Sequence, residues 1–284
     1  HIVHTHRIKE NTLGGLAAAV AKGTISIRTQ HGAPEHGAKG LALKRRAIES
    51  LDYIVGRYLQ RQVVAVSADL EESLIKTYGR NRVTRIVNGL DAEYVRSQAE
   101  IPPIPQLKGR FKIGFVGRLV KVKRVDLFLK IARILSAEHP GEFRFYVIGD
   151  GPSRQELEQY AHDQGLGDCC EFAGFQPNPL PYVKQLDAIL LTSDHEGLPM
   201  IALEALALGV PVISHAVGGL PDVITTPVQG ALIPDQDPRL YAAEIVRRMN
   251  STSHPRNSLL QREFLIQHTA DNYLRLYRRL LDRT

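Results

Sequence analysis

Four short segments hold the residues best able to do chemistry, and each follows a strand-like run. The first is Gly117-Arg118-Leu119, with Lys123 five residues beyond the arginine. The glycine permits a tight strand exit. A guanidinium offers a bidentate fork and an ammonium a point charge, so the two converging on one anion would suit a diphosphate. Taken alone, the pair could equally be a solvated helix start. The second segment is Gly149-Asp150-Gly151-Pro152. Its glycines free backbone N–H groups for a close approach, and its proline fits a first helical position. An ordinary strand–turn–helix is the bland alternative. The third segment runs Ser193-Asp194-His195-Glu196-Gly197-Leu198-Pro199-Met200, with Glu204 about one turn into the following helix. A helix N-terminus opened by Pro199 offers N–H groups and positive potential to a phosphate. Glu196 in the loop and Glu204 on the helix suit sugar hydroxyls. The fourth, Gly218-Gly219-Leu220-Pro221-Asp222, is another glycine turn opening a helix.

These segments matter together only if a scaffold brings them to one edge. Strands are expected at 111–116, 143–148, 169–172, 188–192, 210–213 and 230–233. Helices are expected between and after them, at 123–137, 152–163, 179–185, 199–208, 220–225 and 237–249. Apolar strands alternating with helices predict a parallel sheet covered on both faces. Ligands bind such sheets beyond the carboxyl ends of the strands, where all four segments fall. A long final helix over 258–281 carries an apolar stripe that includes Leu259, Phe264, Tyr273, Tyr277 and Leu281.

The first third of the chain repeats the alternation. A strand at 1–6, a small-residue helix at 11–21 and a strand at 24–30 running into His31-Gly32 come first. A basic amphipathic helix spans 40–60, and a strand 62–66. Ser67 caps a helix over 68–78, and a strand at 83–87 stops at the turn Asn88-Gly89. Residues 101–109 hold three prolines, which resist helix and central strand alike, and mark a linker over 98–109. The chain begins inside what reads as a buried strand, His1–His4, so a fragment lacking upstream strands is expected.

Composition narrows the class. Apolar residues make up 43% and charged residues 23%, a globular profile. No apolar run approaches the roughly 20 residues that span a bilayer. The two cysteines, Cys169 and Cys170, are adjacent in a strand-like run and read as reduced thiols of a cytosolic protein. They cannot make a zinc site alone, and no metal site is expected. Residues 1–97 hold 15 Lys and Arg against 9 Asp and Glu, whereas residues 98–284 hold 21 of each. The excess, concentrated around Lys39, Lys44, Arg45, Arg46 and Arg57, is either a solvated surface or an attraction to an anionic partner. A nucleic acid is disfavoured, because no binding signature accompanies the charge.

Taken in order, GRL…K, GDGP, E-G-L-P…E and GG-L-P resemble the nucleotide-sugar-binding half of the GT-B glycosyltransferases, specifically the large retaining family 4. Asn88-Gly89-Leu90-Asp91 resembles the end of that family's first domain. His1–His6 (HIVHTH) resembles its DIVHTH strand and Thr29–Gly32 its T-x-H-G strand end. The resemblance covers the whole chain. It implies an α/β GT-B fold, two Rossmann-like domains facing a cleft, the first incomplete at its N-terminus. The acceptor-side domain would hold 1–97 with the closing helix 262–284, and the donor domain 110–261. Arg118 and Lys123 would hold the donor diphosphate, following Gly117. Glu204 would take the ribose hydroxyls, and Glu196 with the backbone of Gly197, Leu198 and Pro199 the transferred sugar. Gly149, Gly151, Gly174 and Phe175 would flank the base. His31 would face the sugar and leaving phosphate, with His6 on the acceptor side. The departures are an absent glycine-rich loop upstream, the proline-rich 176–181, and Arg124 where the family often has glycine, tolerable if it stands on a helix.

The resemblance further implies an EC 2.4 hexosyltransferase that moves a sugar, with a UDP-sugar as the favoured donor, to a glycan or lipid-linked acceptor with retention. Bacterial envelope polysaccharide or lipopolysaccharide assembly is the expected setting. The nucleotide sugar is a substrate, and no cofactor or metal is implied. A cytoplasmic location, peripheral on the cytoplasmic membrane face, is expected. A related GT-B epimerase or phosphorylase, or a non-catalytic nucleotide-binding fragment, stays open as an alternative.

Overall fold

The computed structural model describes residues 1–32, 42–102, 106–250 and 257–282, residues 42–45 by their backbone alone. Lys39 and the side chains of Lys44 and Arg45 lie outside the described residues. The chain divides into two units: His1–Gly89 with Glu196–Leu198 and Ile266–Thr284, and Leu90–His195 with Pro199–Leu265.

The first unit holds strands β1 (Ile2–Thr5), β2 (Ile25–Gln30), β3 (Gln60–Ala65) and β4 (Val83–Arg85), all parallel and in that order. Residues 25–29 of β2 are all buried, as a strand covered on both faces requires. Helix α1 (Ile8–Val20) starts three residues before its expected start, so Asn11 falls inside it, buried and accepting the Thr5 hydroxyl proton at 2.7 Å. Helices α2 (Ala42–Tyr58) and α3 (Ala68–Tyr78) are secured at their C-termini by crossed arginines. Arg82 donates to the carbonyls of Gly56, Arg57 and Gln60, and Arg57 to that of Tyr78 at 3.1 Å. Cations there meet the last carbonyls and the negative end of the helix dipole. Ser67 caps α3 by accepting from the Leu70 amide. The closing helix α11 (Ile266–Leu281) starts later than expected, after coil at 258–261 and a 3-10 turn at Arg262–Phe264. It lays Leu276 and Leu280 on Ile25, Ile27, Val64 and Ile86.

The second unit opens with a helix that sequence reasoning missed, α4 (Ala92–Gln98), whose first amides are capped by the Asp91 carboxylate. Asn178 donates to the Gln98 carbonyl, and the Tyr146 hydroxyl bonds both the amide and the carbonyl of Lys108. The alternation then follows: β5 (Phe111–Val116), α5 (Val125–Glu138), β6 (Phe143–Ile148), α6 (Arg154–Asp163), β7 (Cys170–Gly174) and α7 (Leu180–Val183). After these come β8 (Ala188–Leu191), α8 (Met200–Ala207), β9 (Val212–His215), α9 (Leu220–Val223), β10 (Gly230–Ile233) and α10 (Pro238–Met249). The six strands are parallel in the order β10-β9-β8-β5-β6-β7. That is the doubly wound Rossmann order, and its direction reverses between β5 and β8. The apolar core joins β5 and β6 to α5 through Phe115, Phe128, Phe145 and Leu129, all but sealed from solvent.

Candidate functional site

A switch point between β5 and β8 directs attention to the connections that leave those two strands, 117–124 and 192–199. The β5 exit is built against its neighbours by backbone pairing. The amide of Gly117 donates to the Ile148 carbonyl at 3.0 Å, that of Leu119 to Asp150 at 2.9 Å, and that of Ser153 back to Leu119 at 3.0 Å. A Cβ on Gly149, whose φ is +142°, would collide with the Gly117 carbonyl, and one on Gly151 would stand 2.5 Å from that of Leu119. These glycines therefore let two loops meet backbone to backbone. Their amides are not free, contrary to the sequence expectation. Gly149 N–H donates to the Gly174 carbonyl at 2.8 Å, and Gly151 N–H to the Asp150 carboxylate at 2.7 Å. Gly174 is buried with φ +70°, and the adjacent Phe175 ring is 70% exposed beyond the end of β7.

Arg118 stands exposed on the β5 exit, and Lys123, half-buried, ends a 3-10 turn over Lys121–Lys123. Arg124 does not stand on a helix as expected. It occupies a left-handed conformation just before α5. The β8 exit is tied to this turn: the Asp194 amide donates to the Val122 carbonyl at 2.9 Å. Pro199 is the cap residue of α8 rather than its first helical residue, a place where its missing N–H costs nothing. Glu204 lies half-buried on α8, and burial raises its carboxyl above the usual carboxylate range. The second unit thus brings Gly117, Arg118, Lys123, Gly149, Gly151, Gly174, Phe175, Pro199 and Glu204 to one set of strand ends. Glu196, Gly197 and Leu198 group with the first unit, as do His6 and His31.

In the first unit, β1 and β2 deliver a histidine cluster of which the sequence reading named two members. His6 Nδ1 lies 3.0 Å from His31 Nε2, and their rings stack. Two imidazoles so joined share one proton, one ring donating and the other accepting. Asn88, of the Asn88-Gly89 turn, bonds His31. Desolvation, followed by the neighbouring His6, holds His31 below the ordinary histidine range. The missed members are His4, Tyr273 and Tyr277. His4 places Nδ1 2.7 Å from the Tyr277 hydroxyl and Nε2 2.8 Å from that of Thr29, which in turn meets the Tyr273 hydroxyl at 2.9 Å. Burial, with His6 and His31 beside it, pulls His4 down to about 4. The signal was present in the sequence: His4 and His6 are two apart on a strand, and Tyr273 and Tyr277 four apart on a helix.

Among the described residues, no group of three or more His, Cys, Asp or Glu side chains could hold a metal ion, and no helix is long and apolar enough to cross a membrane. Cys169 and Cys170 are free thiols, and burial pushes Cys170 up to about 12.

A family described as "Glycosyl transferases group 1" matches residues 97–259, and one described as "Glycosyltransferase Family 4" matches residues 1–94. The 2-deoxystreptamine glucosyltransferase of Streptomyces kanamyceticus is 34% identical over 204 residues, 66% of this chain and 52% of that protein. The amylovoran biosynthesis glycosyltransferase AmsK of Erwinia amylovora is 34% identical over 144 residues, 48% of this chain and 35% of that protein. The chain therefore spans about half or less of these relatives. Among solved structures, Anabaena Alr3699/HepE in complex with UDP superposes with a TM-score of 0.81 at 18% identity, covering 97% of this chain and 78% of that one.

Proposed function

The chain belongs to the glycosyl transferases group 1 and has the GT-B fold, and on that premise we propose that it transfers a hexose from a nucleotide sugar, a UDP-sugar, to a glycan or lipid-linked acceptor with retention. One observation carries the reading: Arg118 and Lys123 occupy the β5 exit at the switch point of the second unit, with Glu204 on the helix after β8. Breaking the bond between anomeric carbon and diphosphate builds negative charge on the leaving phosphate. Fixed cations stabilise that charge more in the transition state than in the ground state. In this reading Arg118 and Lys123 supply the charge without a metal ion. Glu204 accepts the ribose hydroxyls, Phe175 with the Gly149–Gly151 loop flanks the base, and Glu196 with Gly197 and Leu198 takes the sugar. His31 serves the sugar and leaving phosphate, and His6 the acceptor side. The leaving phosphate takes the acceptor proton on the front face. The UDP in the Anabaena Alr3699/HepE complex supports UDP as the nucleotide, and the relative named for amylovoran biosynthesis supports polysaccharide biosynthesis as the setting.

A thermal-shift panel of UDP-, GDP- and ADP-sugars tests the donor class, with UDP-sugars expected to stabilise the chain most, and product analysis separates transfer from epimerisation. Glu204→Ala is expected to weaken UDP and UDP-sugar alike. Glu196→Ala should leave UDP affinity in place and lower turnover of the full donor. Equal effects of both changes on both ligands would contradict the division of roles.

We place the acceptor at an anionic, cytoplasmic membrane surface. Helix α2 supports this, since Lys44, Arg45 and Arg46 at its start precede solvent-facing Ile48, Leu51, Ile54 and Tyr58. Each basic residue near an anionic bilayer contributes about 1 kcal/mol, screened by salt. The chain is expected to co-sediment with phosphatidylglycerol vesicles at low salt and leave them at high salt. Changing Lys44, Arg45 and Arg46 together to glutamine should weaken this and spare nucleotide binding. Equal sedimentation with neutral vesicles would reduce the charge to a solvated surface.

A further inference from the structure

Arg124 is the one residue other than glycine with a left-handed backbone among the described residues, at φ 49° and ψ 46°. That conformation crowds a Cβ against the following carbonyl and costs glycine nothing. An arginine here needs compensation, and its side chain shows what that is. Nε and Nη2 donate to the two oxygens of Asp126, at 3.0 and 3.2 Å, in the first turn of α5. Nη1 donates to Asp194 Oδ1 at 3.1 Å and to Gln236 Oε1 at 2.6 Å. Gln236 Nε2 donates in turn to the same Asp194 oxygen at 3.0 Å. One guanidinium therefore fastens three connections: β5–α5, β8–α8 and β10–α10.

The backbone ties the first two of these a second time. The Thr192 hydroxyl, at the end of β8, lies 3.0 Å from the Lys123 carbonyl and 2.9 Å from that of Arg124. The Asp194 amide meets the Val122 carbonyl. Lys123 immediately precedes Arg124, and Glu196 follows Asp194 by two residues. The two strand exits that border the switch point are thus locked to each other through Arg124 and its partners.

We propose that Arg124 is a positioning residue, which holds the Lys123 exit and the Asp194 exit in the mutual placement that the donor diphosphate requires, without itself touching the donor. The inference rests on the nucleotide-sugar reading given above. Its physical content is that strain at the Arg124 backbone is accepted in exchange for a rigid tie across the switch point, so that Lys123 is already placed when the donor arrives.

Arg124→Gly separates the two halves of that exchange. Glycine accepts the backbone, so the fold and thermal midpoint should hold, while the tie is lost. UDP affinity measured by calorimetry on the full chain is expected to fall roughly tenfold for Arg124→Gly and for Asp194→Ala. The double variant should lose no more than either single one, because both changes cut the same tie. Arg124→Lys, which cannot make the fork, should not restore affinity. Native-state hydrogen exchange needs no ligand and should show the Asp194 amide losing protection in Arg124→Gly while amides of β6 keep theirs. UDP affinities within twofold of the unaltered chain, additive losses in the double variant, or unchanged protection at Asp194 would each overturn the inference. Should Arg124→Gly fail to fold, Gln236→Ala carries the same affinity and exchange tests. Absence of UDP binding by the unaltered chain overturns the donor reading instead, which the exchange measurement tells apart from a failure of the tie.

Discussion

Alanine at Arg118 should weaken UDP binding by about ten- to a hundredfold, and alanine at Lys123 by a similar factor, with the chain still folded in both cases. A hydrogen bond to a charged group contributes roughly 1.5–3 kcal/mol, and 1.4 kcal/mol is a factor of ten. Arg118 is exposed, so its removal costs the core nothing, and the β5 exit keeps its course through the Gly117 and Leu119 backbone bonds. Leu119 itself is sealed in the core and anchors the loop from beneath. Lys123 is held at its carbonyl by Thr192, a bond that alanine retains. In turnover the loss should exceed that in UDP affinity, since phosphate charge grows as the glycosidic bond breaks. Calorimetry with UDP and initial rates with a UDP-sugar measure the two effects. Undiminished UDP affinity in both variants would remove the diphosphate from the β5 exit.

Much of this arrangement was legible because parallel sheets advertise themselves. Strands such as 188–191 are apolar on both faces, and the helices between them carry one apolar stripe, so the alternation and the loops at the strand ends could be placed from residue types. What failed to show depends on partners distant in sequence. The glycines at 149 and 151 looked like donors of free amides. Their amides turn out to be paired, and their missing side chains serve contact with carbonyls some thirty residues upstream. Arg124 looked like an ordinary helical residue, because nothing in an arginine announces a left-handed backbone. Asp194 and Gln236, which hold it there, come from two later connections. His4 does not stand out in the sequence beside His6 and His31, since its hydroxyl partner Tyr277 and its ring neighbour Tyr273 stand at the other end of the chain. Helix α4 was hidden by its brevity, although Asp91 is a good cap and was visible.

Arg28 likewise has its partners far along the chain, on α2 and α3, and its replacement should have the largest effect on stability. It sits on β2 with 1% of its side chain exposed. Its Nη1 donates to both oxygens of Asp52 on α2, each at 2.8 Å, and its Nη2 to the Tyr78 hydroxyl at the end of α3. The guanidinium carbon lies 4.9 Å from the centre of the Tyr78 ring. Gly56 leaves the space for this: a Cβ there would come within 2.8 Å of Nη2. The pair thus pins α2 and α3 to the sheet of the first unit. Removing one partner of a buried pair strands the other's charge, at a cost of about 3–5 kcal/mol. Arg28→Met should therefore lower the urea midpoint of the first unit sharply. Changing both partners, Arg28→Met with Asp52→Leu, leaves no stranded charge and should recover most of the loss. Arg28→Lys should recover only part of it, because an ammonium cannot make the fork and the ring contact together. Urea melts followed by hydrogen exchange in β2 and α2 would report the unit directly. A single Arg28→Met variant as stable as the parent would mean that the ion pair contributes nothing net, and that the helices are held by their apolar faces alone.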